Sequence, residues 1–205
     1  MVKYKFKLIK IFISILALII SFQSWTKADD VRDFEIDGMS VGDSLLDHFE
    51  KKKVKKLFNI KNAINFYPNI KKFITLGTSI KSANYQNIYF GLRNKDKNYV
   101  IYSIEGYNRM DYQKCLNKID LVSLDIEGMF SNNTYSKTVS KGIHDTDKSK
   151  NTIYISHDFN FKSGSSIRVI CIDWGKEMES INHHDSFMIS LQSKEFDYWL
   201  NNEAY

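Results

Sequence analysis

A chain of 205 residues, 43% apolar and 14% aromatic, carries enough hydrophobic surface for a full core, which excludes a disordered or low-complexity protein. Its formal charge of +5 is a local effect: five Lys and no acid fall in residues 1–28. Taking those five from the 29 Lys+Arg leaves 24 basic residues against 24 Asp+Glu, and so neutral a remainder argues against nucleic acid or anionic membrane as main partner, since both need clustered positive charge.

Residues 1–28 read as an export signal. Lys3, Lys5, Lys7 and Lys10 form a basic start, Ile11 to Phe22 an apolar stretch, and Thr26-Lys27-Ala28 a small-residue cleavage site before Asp29. The apolar stretch falls short of the ~20 residues a spanning helix needs, so cleavage is expected rather than anchoring, with no stable membrane insertion afterwards. Residues 29–205 then form one domain, periplasmic or secreted.

Along the chain, Phe34 and Ile36 alternate with acids as a short strand. Ser40 is placed to begin a helix carrying Val41, Leu45, Leu46 and Phe49, and Val54, Leu57 and Phe58 mark a second short helix after the lysine run. From residue 70 the period changes to two, giving strands at 71–76, 85–92 and 99–105, the last two joined as a hairpin by the polar turn 93–98. Residues 131–150 read as a polar loop. Strands follow at 152–157, 166–174 and 186–191, with Lys162-Ser163-Gly164-Ser165 closing a second hairpin, and Ser193 caps a final helix holding Phe196, Trp199 and Leu200. Strand 166–174 is apolar on both faces, which places it mid-sheet. The fold class is α+β: a mainly antiparallel twisted sheet of about six strands with helices packed on it.

The longest helix is expected over 111–130, capped by Asp111. Cys115, Ile119, Val122, Ile126 and Met129 share one face, widened by Leu116, Leu121 and Phe130. Cys115 thus lies on an apolar helix seam, and Cys171 on the Ile167–Val169 face of the central strand. In an exported chain with two cysteines this predicts a Cys115–Cys171 disulfide pinning helix to sheet.

Candidate chemistry is sparse. An Asp stands beside His48, His144, His157 and His184, and imidazole with carboxylate serves both metals and proton transfer. The sharpest cluster is His183, His184 and Asp185, a candidate metal-ligand set. Neighbours on a strand point oppositely, so His157 and Asp158 should not share a site. There is no H-E-x-x-H and no phosphate-cradling glycine motif, and neither a catalytic residue nor a cofactor is assigned. Tyr85 and Tyr89, read on one strand face with Asn87, and Tyr99 on the next strand are candidate ligand-binding residues, because ring faces and amides together grip sugars or peptides.

The stretch Phe34-Glu-Ile-Asp-Gly-Met-Ser-Val-Gly-Asp-Ser-Leu-Leu resembles the opening of small exported proteins from AT-rich bacteria, and Gly38-Met39-Ser40 before a helix is similar to small envelope accessory proteins of outer-membrane assembly. Those carry a lipid-anchoring Cys that this chain lacks. The expectation is a non-catalytic binding or envelope accessory protein, with an envelope protein or small ligand as partner and no nucleic acid. The alternative is an exported hydrolase or metal-dependent enzyme using the His-containing loops.

Overall fold

A computed structural model describes residues 28, 30–60, 63–66, 72–78 and 82–204. The signal reading falls, Ala28 apart, outside them. Eight antiparallel strands form one sheet: β1 (Ile64–Phe66), β2 (Phe73–Thr78), β3 (Asn87–Arg93), β4 (Ile101–Arg109), β5 (Tyr135–Ile143), β6 (Ile153–Phe161), β7 (Ser166–Asp173) and β8 (Ser186–Gln192), in the order β1-β2-β3-β4-β8-β7-β6-β5. The helices are α1 (Leu45–His48), α2 (Lys51–Phe58), α3 (Tyr112–Met129), α4 (Lys176–Glu179) and α5 (Lys194–Asn202). The α+β class holds. Seven strands run six to nine residues and β1 only three, so the expected six is corrected upward.

The topology is two four-strand meanders joined by α3. Each meander is built from neighbours in sequence, and the seam between them is the β4–β8 pair, Ser103 opposite Gln192 through Arg109 opposite Ser186. Strand parity divides the sheet into two faces. On one, Phe90, Ile104, Ile167, Val169 and Leu191 have no exposure, and α1, α2 and α3 cover them. Among the described residues the other face is covered by a helix at one end, where α5 lays Phe196 and Trp199 against Phe73.

α3 begins where Asp111 accepts from the Lys114 N–H at 3.2 Å, and it packs chiefly on β7. Cys115, Ile119, Ser123 and Ile126 are its buried positions. The expected face was drawn too wide: Leu121 is 64% and Met129 41% exposed, because a helix on a flat sheet buries a narrow stripe. The disulfide joins Cys115 to Cys171 with Cα atoms 5.8 Å apart, within the span such a bridge needs.

Two local expectations shift. In place of the predicted strand at Phe34–Ile36, an extended Phe34 follows a 3-10 turn (Val31–Asp33), and Ile36 pairs with Met39 as an isolated bridge. The first helix starts at Ser44, not Ser40. Ser44 and Asp47 form a complete capping box, whereas the Ser40 hydroxyl turns back to donate to the Phe34 carbonyl at 2.7 Å, a local side-chain-to-backbone bond that belongs to a turn. The strand β5 occupies what reads as a loop.

Candidate functional site

The open face carries the side chains of one strand parity. Tyr89 stands opposite Glu105, Glu105 opposite Ser190, Ser190 opposite Arg168 and Arg168 opposite Asp158. One step along lie Asn87, Tyr107 and Met188, and the next step brings Arg109, Ser186 and Ile172. A cleft of about 280 Å³ opens over this region. Asn87, Tyr89, Tyr107 and Met188 form its floor, and Trp174 with His183 stands at its side.

That side wall is built locally. After β7 the Trp174 N–H donates to Asp185 Oδ1 at 2.9 Å. Asn182 takes a left-handed φ of 75°, which turns the chain back, and the His183 N–H closes the turn on the Met178 carbonyl at 3.1 Å. The His183 ring then lies 4.2 Å from Trp174, and His144 lies 4.9 Å from it. Burial pushes the His144 pKa below its ordinary value, which favours its uncharged form.

Tyr89 and Tyr107 meet edge to face, centroids 6.4 Å apart at 88°. Glu105 sits beside both, half-buried. Among the described residues no hydrogen bond or ion pair reaches its carboxyl. Protein packed around it raises its pKa from 4.5 to about 7, since burial penalises the charged form. Burial also raises the Tyr89 hydroxyl, with Glu105 adding to the effect.

The predicted site residues divide. Tyr89 and His183 meet in this cleft, and His184 is at its rim, its Nε2 3.2 Å from Asn182 Oδ1. Tyr85 does not join them. It precedes β3, where the Ser82 hydroxyl caps its N–H at 2.7 Å, and strand alternation starts only at Asn87. Its ring covers Gly106, where a Cβ would come within 2.5 Å of it, and Lys118 of α3 lies 6.0 Å from its centroid. Tyr99 lines a second cleft of about 420 Å³ with Lys55, Phe58 and Lys95. There its ring packs on Phe58 at 5.5 Å, and Asp96 serves the hairpin turn by accepting from the Asn98 and Val100 N–H groups. That cleft is larger, but its aromatic and acidic groups already have structural tasks.

His183, His184 and Asp185 have separate engagements, and among the described residues no three His, Cys, Asp or Glu side chains gather as a metal-holding group. Nor, among those residues, does any histidine bond the Asp beside it. His48 reaches Asp43 at 3.0 Å, and Asp158 takes Arg168 and the Ser156 hydroxyl. His157 meets Ser123 of α3, Nδ1 to Oγ 2.6 Å. Both are buried, at 6% and 1% exposure, and neither lines a cleft described above. Burial, and then the Lys137 charge, lower the His157 pKa.

Glu105, Tyr107, Arg109 and Trp174 escape a residue-by-residue reading. The signal was parity: extended to Arg109, the strand at 99–105 puts Glu105, Tyr107 and Arg109 on one face against Ile104 and Gly106. No protein-family model matches this chain, and no curated protein or solved structure matches it.

Proposed function

We propose that this is an exported binding protein, periplasmic or secreted, that seats a small ligand in the open-face cleft without catalysis. One observation carries the reading. Tyr89, Tyr107, Trp174 and His183 converge on one cleft with the amides of Asn87 and Asn182, and aromatic walls with a few directional polar groups are what small-molecule sites present. The disulfide and the signal pattern support export, since such bridges persist in oxidising compartments. No helix among the described residues is long and apolar enough to cross a membrane.

The test uses Trp174 as reporter. With Trp199→Phe, Trp174 is the one tryptophan left beyond residue 28, and a panel of neutral, anionic and cationic fragments should change its emission with saturable binding. A panel that binds only at the Lys55–Tyr99 cleft, or nowhere, would contradict the proposal.

A second reading rests on Ser123 and His157, whose 2.6 Å contact has the spacing of a nucleophile and its base. It makes the protein an exported hydrolase. Substrate would reach the pair only with α3 lifted from the sheet. A broad esterase and peptidase screen decides: turnover abolished by His157→Ala would establish the enzyme and end the binding-only reading.

A further inference from the structure

We propose that the corner made by Tyr89, Glu105 and Tyr107 holds the free ammonium end of a short zwitterionic peptide whose carboxylate lies toward Arg109; the proposal rests on the cleft being a ligand site and names the ligand's class. The two perpendicular rings, 6.4 Å apart, are partly exposed and line the cleft, and Glu105 stands opposite Tyr89 at that end. An ammonium is attracted to a ring face within ~6 Å of its centroid, and a carboxylate beside it supplies charge and a hydrogen-bond acceptor.

The charges around Glu105 leave that role open. Opposite it, Tyr89 on β3 and Ser190 on β8 are uncharged. Across β8, Arg168 on β7 is committed to Asp158 on β6. On α5, Glu195 is held by Arg93 at 2.6 Å and by Lys72 at 3.3 Å. On its own strand the nearest charge is Arg109. A half-buried carboxyl with no cationic partner is costly to ionise, and an incoming ammonium removes that cost.

The opposite end has the complementary sign. Arg109 lines the cleft beside His183 and His184, and among the described residues its guanidinium enters no ion pair. Arg109 is four residues along β4 from Glu105, about 13 Å at strand rise. An extended peptide advances ~3.3–3.6 Å per residue, so about three or four residues bridge the poles. Polyamines match only the Glu105 end, and dicarboxylates only the Arg109 end.

The experiment is calorimetric titration of the mature chain with tri-alanine, N-acetyl-tri-alanine and tri-alanine amide at pH 7.5. Tri-alanine should bind, and acetylation should weaken it by about tenfold or more, the scale of a lost charge-assisted contact. Glu105→Gln should weaken tri-alanine similarly and leave the acetylated peptide unchanged. Amidation should matter in the native chain and not in Arg109→Ala. Equal binding of free and acetylated peptide would overturn the proposal, as would full affinity in a folded Glu105→Gln. Should that variant not fold, the peptide pair on the native chain decides alone. Absence of binding by all three peptides also overturns it; the cleft reading then stands if the fragment panel still reports at Trp174 and falls if it does not.

Discussion

Reducing the Cys115–Cys171 bridge isolates what the link between α3 and β7 contributes. The bridge closes a loop of 56 residues, and loop-closure entropy assigns a loop of that length about 4 kcal/mol. In a domain of this size each kcal/mol shifts the melting temperature by ~2–4 °C, so reduction should lower it by roughly 8–16 °C. Both cysteines are fully buried, so substitution adds other costs. Cys171→Ser strands a hydroxyl in the core, about 1–3 kcal/mol more, and the double Ala variant leaves a small cavity. Reduction changes neither volume nor polarity much, which makes it the clean perturbation. The assay is thermal unfolding by circular dichroism, oxidised against reduced, with thiol titration of the denatured protein confirming each state. The denatured, unreduced chain should show no free thiol. A shift under ~3 °C on complete reduction would refute the reasoning, because the unfolded chain would then gain little freedom from the cut.

Other consequences are as direct. The Glu105 pKa is raised from 4.5 to about 7 in the folded state; between those values the native protein holds a proton the unfolded chain has released, so stability falls as pH rises through that window. Glu105→Gln should remove this slope and stabilise the protein at pH 8 by on the order of 2 kcal/mol relative to wild type, read from urea unfolding at pH 5 and pH 8. Ser123→Ala should cost about 1–3 kcal/mol by leaving the His157 nitrogen buried without its partner, and a larger loss of any hydrolytic activity than of stability would speak for the enzyme reading. Gly91→Ala would put a Cβ within 2.5 Å of Phe196 Cε2 and 2.8 Å of Ser103 Cβ, so α5 must shift, at about 1–3 kcal/mol; an unchanged melting temperature would show that α5 is not seated there.

What the sequence made legible was whatever local chemistry decides. Helix 111–130 was found within a residue at each end because an Asp cap and a four-three spacing act over short range. Both hairpins followed from turns rich in polar and Gly residues, and the disulfide from two cysteines on apolar faces. β5 was missed because Tyr135–Ile143 alternates Ser, Lys and Thr around Val139 and Ile143, and Val139 is 56% and Ile143 48% exposed. An edge strand with little buried side has no apolar period to read, and only its pairing with β6 reveals it. Strand parity applied from residue 85, two residues before β3 begins, puts Tyr85 beside Tyr89, although Tyr85 lies in the capped loop ahead of the strand. The cleft itself is non-local. Asn87, Tyr107, Trp174 and Met188 lie far apart in the chain and become neighbours only through the β4–β8 seam between the two meanders. No single stretch contains that register.

The central claim is the place of the ligand. Amide and indole chemical-shift mapping on the isotope-labelled protein, titrated with tri-alanine and with the best-binding fragment, tests it most directly. Saturable shifts are expected at Asn87, Tyr89, Glu105, Tyr107, Trp174 and His183, with little change along α3 or at Lys55 and Tyr99. Shifts centred on Ser123 and His157, or on the Lys55–Tyr99 cleft, with the open face silent, would contradict it.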